Sequence, residues 1–251
     1  MNTLHIFGDS FSECMDILSE HAPDSARIEY SRKYFNTIYP VWSKILAESL
    51  NMIHKNYAST GGKQFKHLGH GNSNHSILYN LNEYAHTFKK DDIVIIGFTS
   101  TLRFPWPYDN DDDVFASLPN SPNDFSREES NVLEFITVKR DHDFYKEELM
   151  QKMKVFEVLA DTIGFHLYYW SYCPEITNWK REEKLKDKRW IFLQICPEYG
   201  EKYHGILDEN GGQTIDNESN PPFQDSHMGK SGNEAHAKLF SDYLKKELNI
   251  T

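Results

Sequence analysis

Two short segments near opposite ends of the chain carry residue types suited to nucleophilic chemistry. The first is Gly8-Asp9-Ser10-Phe11-Ser12, directly after the apolar run Leu4 to Phe7. A hydroxyl on a glycine-tightened turn at a strand end stands above the sheet edge. The start of a following helix there offers backbone N–H groups to a developing negative charge. Serine attacks only when a base takes its proton. The second segment is Asp225-Ser226-His227-Met228-Gly229-Lys230-Ser231-Gly232-Asn233, just before the last helix. An imidazole with a carboxylate two residues away supplies a base and the acid that fixes its tautomer. Taken singly, each segment also fits a plain role. Asp9 or Ser10 would then cap a helix, and Asp225 and His227 would lie in a polar surface turn.

Taken together, the two segments resemble the first and last blocks of the SGNH (GDSL) hydrolase superfamily, standing at the matching ends of the chain. The resemblance implies that Ser10 is the nucleophile, His227 the general base and Asp225 the orienting acid. The usual last block has two residues between acid and base, and this chain has only Ser226. The superfamily's second block supplies an oxyanion-hole glycine. Asn56-Tyr57-Ala58-Ser59-Thr60-Gly61 resembles one form of that block, and Gly71-Asn72-Ser73-Asn74-His75-Ser76-Ile77 another. The second form is preferred, because Ile77 opens a helical pattern and Gly71 would offer its N–H near a helix start.

The third block departs from the superfamily pattern, which has an Asn that donates to the oxyanion. The segment Gly97-Phe98-Thr99-Ser100-Thr101-Leu102-Arg103 has none, and Thr99 or Ser100 occupies its place. A hydroxyl there can donate one hydrogen bond, and Asn74 offers another donor. Thr99 to Arg103 is similar to a Thr/Ser-x-x-x-Arg form found in some relatives. Arg103 would bind a substrate carboxylate, support the site or serve the strand end structurally. Losing an oxyanion donor slows acyl transfer roughly a hundred- to a thousand-fold.

The elements that must position these groups follow from periodicity. Leu4 to Phe7 reads as a buried strand, and Met52 to Tyr57 as a second. Val41 to Leu50 has helical spacing after Pro40, a favoured place for a helix start. Ser76 to Phe88 reads as a helix with Ile77, Leu81, Tyr84 and Ala85 inward. The run Asp92 to Phe98 is apolar enough for a strand buried on both faces of a parallel sheet. Asp141 to Ile163 reads as a long helix stopped by Gly164, before a strand from Phe165 to Trp170. Gly232 to Leu248 closes the chain as an amphipathic helix, with Ala235, Leu239, Tyr243 and Leu244 inward. Strands alternating with helices predict an α/β fold, a three-layer α/β/α sandwich on a central, mostly parallel sheet. One domain is expected over residues 1–251, with surface excursions near 105–127 and 196–222. Such sheets carry active sites at the carboxyl ends of their strands.

Composition narrows the partners. The net charge is −11, which repels phosphate and argues against nucleic acid and anionic membrane surfaces. No apolar stretch is long enough to span a bilayer. Cys14, Cys173 and Cys196 match neither a disulfide framework nor a zinc pattern. His67, His70 and His75 fit no metal template, and the acidic run from Asp109 departs from a calcium loop at Val114 and Asn120. Trp106, Tyr108 and Trp179 are loop aromatics suited to a sugar cleft, whereas Tyr168 to Trp170 reads as strand core. No signal peptide pattern precedes Leu4, so a cytoplasmic protein is the default expectation, compatible also with a mature secreted chain. The resemblance implies a serine esterase that needs no cofactor. It would act on small-molecule or glycan esters, with acetyl groups on carbohydrate as the favoured substrates. Acyl transfer to a sugar hydroxyl and a non-catalytic, carbohydrate-binding or structural relative are the competing readings.

Overall fold

The β-branched and aromatic runs of the sequence become the strands of one parallel sheet. The computed structural model describes residues 1–8, 12, 26–35, 38, 40–58, 74–99, 106–107, 115–116, 142–172, 176, 188–191, 194, 214–216, 223–225 and 228–250. In chain order the elements begin with β1 (Thr3–Phe7), α1 (Ala26–Phe35), α2 (Trp42–Ser49) and β2 (Ile53–Asn56). Then come α3 (Asn74–Tyr84), which runs into a single 3-10 turn, and β3 (Ile93–Phe98). After β4 (Trp106–Pro107) and β5 (Phe115–Ala116) follow α4 (His142–Ile163) and β6 (His166–Ser171). The last elements are β7 (Thr214–Asp216), β8 (Phe223–Asp225) and α5 (Lys230–Leu248).

The main sheet has the order β2-β1-β3-β6, and every pairing is parallel. Leu4 lies opposite Ile93, Ile6 opposite Ile95 and Gly97 opposite Trp170. Beyond β6 the chain begins a further parallel pairing. Tyr169 bridges Trp190 and its N–H donates to the Arg189 carbonyl at 2.7 Å. All six residues of β3 are buried, as a strand covered on both faces requires. The edge strand β2 alternates between exposed and half-buried positions.

Alternation gives the strands two faces, and helices cover both. On one face, Trp170 meets Trp42 of α2 at 5.5 Å between ring centroids, and Trp42 meets Phe240 of α5 at 5.2 Å. Edge-to-face pairs of this kind add roughly 0.5–1.5 kcal/mol each beyond the area they bury. On the other face, His5 and Phe7 pack against Tyr57 and Phe88, and the Tyr169 hydroxyl reaches Glu157 of α4 at 3.4 Å. Tyr168, Tyr169 and Trp170 are buried strand core, in line with the sequence expectation.

Local chemistry explains the element ends. Gly164 stops α4 at φ +89°, and its N–H donates to the Ala160 carbonyl at 2.7 Å. Asp92 organises the amino ends of the strands. Its carboxylate accepts the Thr3 N–H at 2.7 Å and the Lys89 N–H at 2.9 Å, and it lies 3.3 Å from His5 Nε2. Burial pushes the His5 pKa down, and Asp92 opposes that shift.

Three features differ from the sequence pattern. Helix α1 has no counterpart in the expected elements, and among its described side chains only Ile28 and Ser31 are buried. The antiparallel β4–β5 and β7–β8 ladders stand where only loop was expected, so Trp106 is a strand residue and not a loop aromatic. The buried face of α5 is also rotated from the expected one. Gly232, Asn233, His236, Ala237, Phe240, Ser241 and Leu244 are buried, while Ala235, Leu239 and Tyr243 lie at its margins. The expected stripe followed apolar residues alone, and this face includes polar ones with partners in the core.

Candidate functional site

In open parallel sheets, ligands bind beyond the strand carboxyl ends, where successive connections depart in opposite directions. Here that switch point lies between β1 and β3. From β1 the chain leads to β2 on one side, while β3 leads to β6 on the other. The residues past those two strands are Gly8, which opens the first motif segment, and Thr99, which lies within the third.

Ser12 lies over the ends of β1 and β3. A Cβ on Gly8 would lie 2.6 Å from Ser12 Oγ, and a Cβ on Gly97 would lie 2.9 Å from the same atom. The Gly97 position would also meet Trp170 Nε1 at 2.6 Å. Two strand-end glycines therefore make the space in which Ser12 is buried.

Three asparagines hold the main chain around this point. Asn56, the last residue of β2, donates from Nδ2 to the Ser12 carbonyl at 2.6 Å and to Ser43 Oγ at 3.2 Å. Its Oδ1 accepts the Ala58 N–H at 2.8 Å. Asn74, at the start of α3, grips Thr99 with both ends of its amide. Nδ2 donates to the Thr99 carbonyl and Oδ1 accepts the Thr99 N–H, each at 2.8 Å. Asn233, on the buried face of α5, accepts the Trp42 N–H at 2.8 Å and donates to the carbonyls of Met228 and Gly229, each at 2.9 Å. The Trp42 N–H would otherwise be an orphan donor of α2, whose N-cap Val41 has no side-chain cap bond.

The first turn of α2 is thus a common anchor. Ser43 takes Asn56, which holds Ser12, and Trp42 takes Asn233, which holds the Met228–Gly229 turn. Trp42 and Asn233 are 191 positions apart in sequence. His236 packs near this anchor against Trp42, Trp170 and Phe240, at centroid distances of 4.8, 4.8 and 4.3 Å. Complete burial pushes its pKa down to about 3, so it stays a neutral imidazole with little basicity.

The expected site residues divide as follows. Ser10, Gly71, Ser100, Arg103 and His227 lie outside the described residues, as do Gly61, the three cysteines, His67 and His70. Asp225 is the last residue of β8, with its main chain opposite Thr214. Asn74 and Thr99 are brought together, and Thr99 is fully buried with its hydroxyl 3.2 Å from that of Tyr172. Among the described residues, no cluster of histidine, cysteine and carboxylate side chains is arranged to hold a metal, and no helix is long and apolar enough to cross a membrane. A cleft of about 670 Å³, walled in part by Met52, His166 and Leu248, opens at the opposite, amino-terminal end of the sheet.

Motif reading did not single out Asn233 or the side chain of Asn56 as site residues. The signal for Asn233 is a polar residue in register with the core-facing positions of an amphipathic helix. The signal for Asn56 is a carboxamide where a strand ends, a place that favours side-chain bonds to nearby backbone. Comparison with protein-family models, with curated proteins and with solved structures returned no match.

Proposed function

We propose that the chain is a serine hydrolase of the SGNH type that cleaves short acyl esters, with acetyl esters of carbohydrate as the favoured class. The observation that carries this reading is the shared anchor on α2. The main chain two residues after Ser10 and the main chain directly after His227 are tied to adjacent residues, Ser43 and Trp42. A nucleophile and base from opposite chain ends need such a common support.

In this mechanism His227 takes the proton of Ser10 as its Oγ adds to the ester carbonyl. Asp225 orients the imidazole. The Ser10 and Gly71 N–H groups and a hydroxyl from Thr99 or Ser100 hold the oxyanion. Collapse expels the alcohol, which leaves with the proton from His227. Water then attacks the acyl enzyme, giving up a proton to His227, and the carboxylic acid departs as Ser10 is reprotonated. Both ends of the Asn74 amide are committed to Thr99, which supports a holding role for Asn74 over a donating one. Arg103 would support the site, or bind a carboxylate where the substrate carries one.

A fluorophosphonate probe should label the wild-type protein and leave Ser10→Ala unlabelled. Wild type should release acetate from p-nitrophenyl acetate or acetylated glycans, and the variant should lose that activity. A wild-type protein that neither labels nor hydrolyses these esters overturns the reading and leaves the non-catalytic alternative, which the absence of the third-block Asn favours. New ester formed at the expense of free acid when sugar is added would identify an acyltransferase.

A further inference from the structure

We propose that Asn56, Asn74 and Asn233 are positioning residues that set the geometry of the site. Each fixes the main chain of one of the three segments that converge at the strand carboxyl ends. The inference rests on the serine-hydrolase reading and adds to it how the reacting groups are held in place.

The three side chains share one chemistry. Each uses its amide oxygen to accept a backbone N–H and its amide nitrogen to donate to a backbone carbonyl. The pairs are Ala58 and Ser12 for Asn56, both groups of Thr99 for Asn74, and Trp42 with Met228 and Gly229 for Asn233. Only a carboxamide provides both halves at this length. An aspartate keeps the acceptor, but it loses the donor and sets a negative oxygen against a carbonyl. Asn56 and Asn74 come from elements flanking the switch point, and Asn233 comes from the helix that follows His227. Together they link β2, α3 and α5 to the segments after β1 and β3 and before α5. A hydrogen-bonded frame of this kind restrains backbone position directly, because each bond holds a main-chain atom at a fixed distance and angle. Misplacing a reacting group by about 1 Å costs roughly a hundred-fold in rate.

The test compares Asn56→Asp, Asn74→Asp and Asn233→Asp with Ser241→Ala. The Ser241 hydroxyl bonds Ser49 at 2.9 Å between α5 and α2, and the substitution serves as a purely structural control. For each folded protein, the melting temperature, the fluorophosphonate labelling rate and the kcat and KM for p-nitrophenyl acetate are measured well below melting. The expected result is a labelling rate and kcat lowered about ten- to a hundred-fold in the Asp variants, with KM little changed and Ser241→Ala at the wild-type rate. The deficit should shrink as pH falls, because a protonated carboxyl regains the donor. Any Asp variant that does not fold is replaced by the Ser variant at the same position, in the same assay. Variants that melt lower but keep the wild-type kcat and labelling rate overturn the positioning proposal alone. A wild type that does not label overturns the hydrolase reading itself.

Discussion

Gly97 has no room for a side chain. A Cβ there would meet Trp170 Nε1 at 2.6 Å and Ser12 Oγ at 2.9 Å, and the indole is locked among Trp42, His236 and Phe240. Gly97→Ala should therefore destabilise the protein by about 1–3 kcal/mol, the usual range for overpacking a tight core. The urea midpoint should fall with an unchanged slope, and a wild-type midpoint would contradict the packing of Ser12 over the strand ends. Single residues were legible where type and position carry the signal, as for Tyr168, Tyr169 and Trp170, which are buried strand core as their run predicts. The role of Gly97 was not legible, because it depends on an indole from another strand and a hydroxyl from the turn after a third.

At the scale of elements, periodicity predicted well where the residues themselves bear the signal. β3 is a continuous apolar run, and its six residues are all buried. α4 ends at Gly164, as expected for a left-handed C-terminal glycine. Gly164→Ala should cost about 1–2 kcal/mol from the positive φ alone, because the nearest atom to a Cβ, Lys90 Cγ at 3.3 Å, belongs to a flexible side chain. Thermal melts of the two proteins check this, and equal melting would mean that the backbone relaxes out of the left-handed region. The buried face of α5 was less legible. Its register is set by Asn233 reaching Trp42 and by Ser241 reaching Ser49, both on α2. Hydropathy scores those polar positions as solvent-facing, so the expected stripe came out rotated.

For the whole molecule, two buried imidazoles make stability depend on pH. The His236 pKa falls from 6.5 to about 3, and that of His5 is lowered too, in both cases chiefly by burial. The unfolded chain takes up these protons near 6.5, whereas folded His236 refuses its proton until about 3. The stability linked to His236 is complete above the unfolded value and is lost as pH falls through this window, by ~1 kcal/mol per pH unit at most. Urea midpoints between about pH 4.5 and 7.5 should drop on acidification. The slope should be shallower in His236→Phe, with His5 supplying part of the remainder, and parallel slopes would mean that folded His236 binds its proton. The sequence by itself determined the α/β class and the parallel character of the sheet, because hydrophobic period and residue type are local properties. Tertiary structure alone decided which carboxamides clamp which carbonyls and that the first turn of α2 anchors both ends. Those bonds join residues as far apart as 191 positions, and their geometry exists only once the layers have packed.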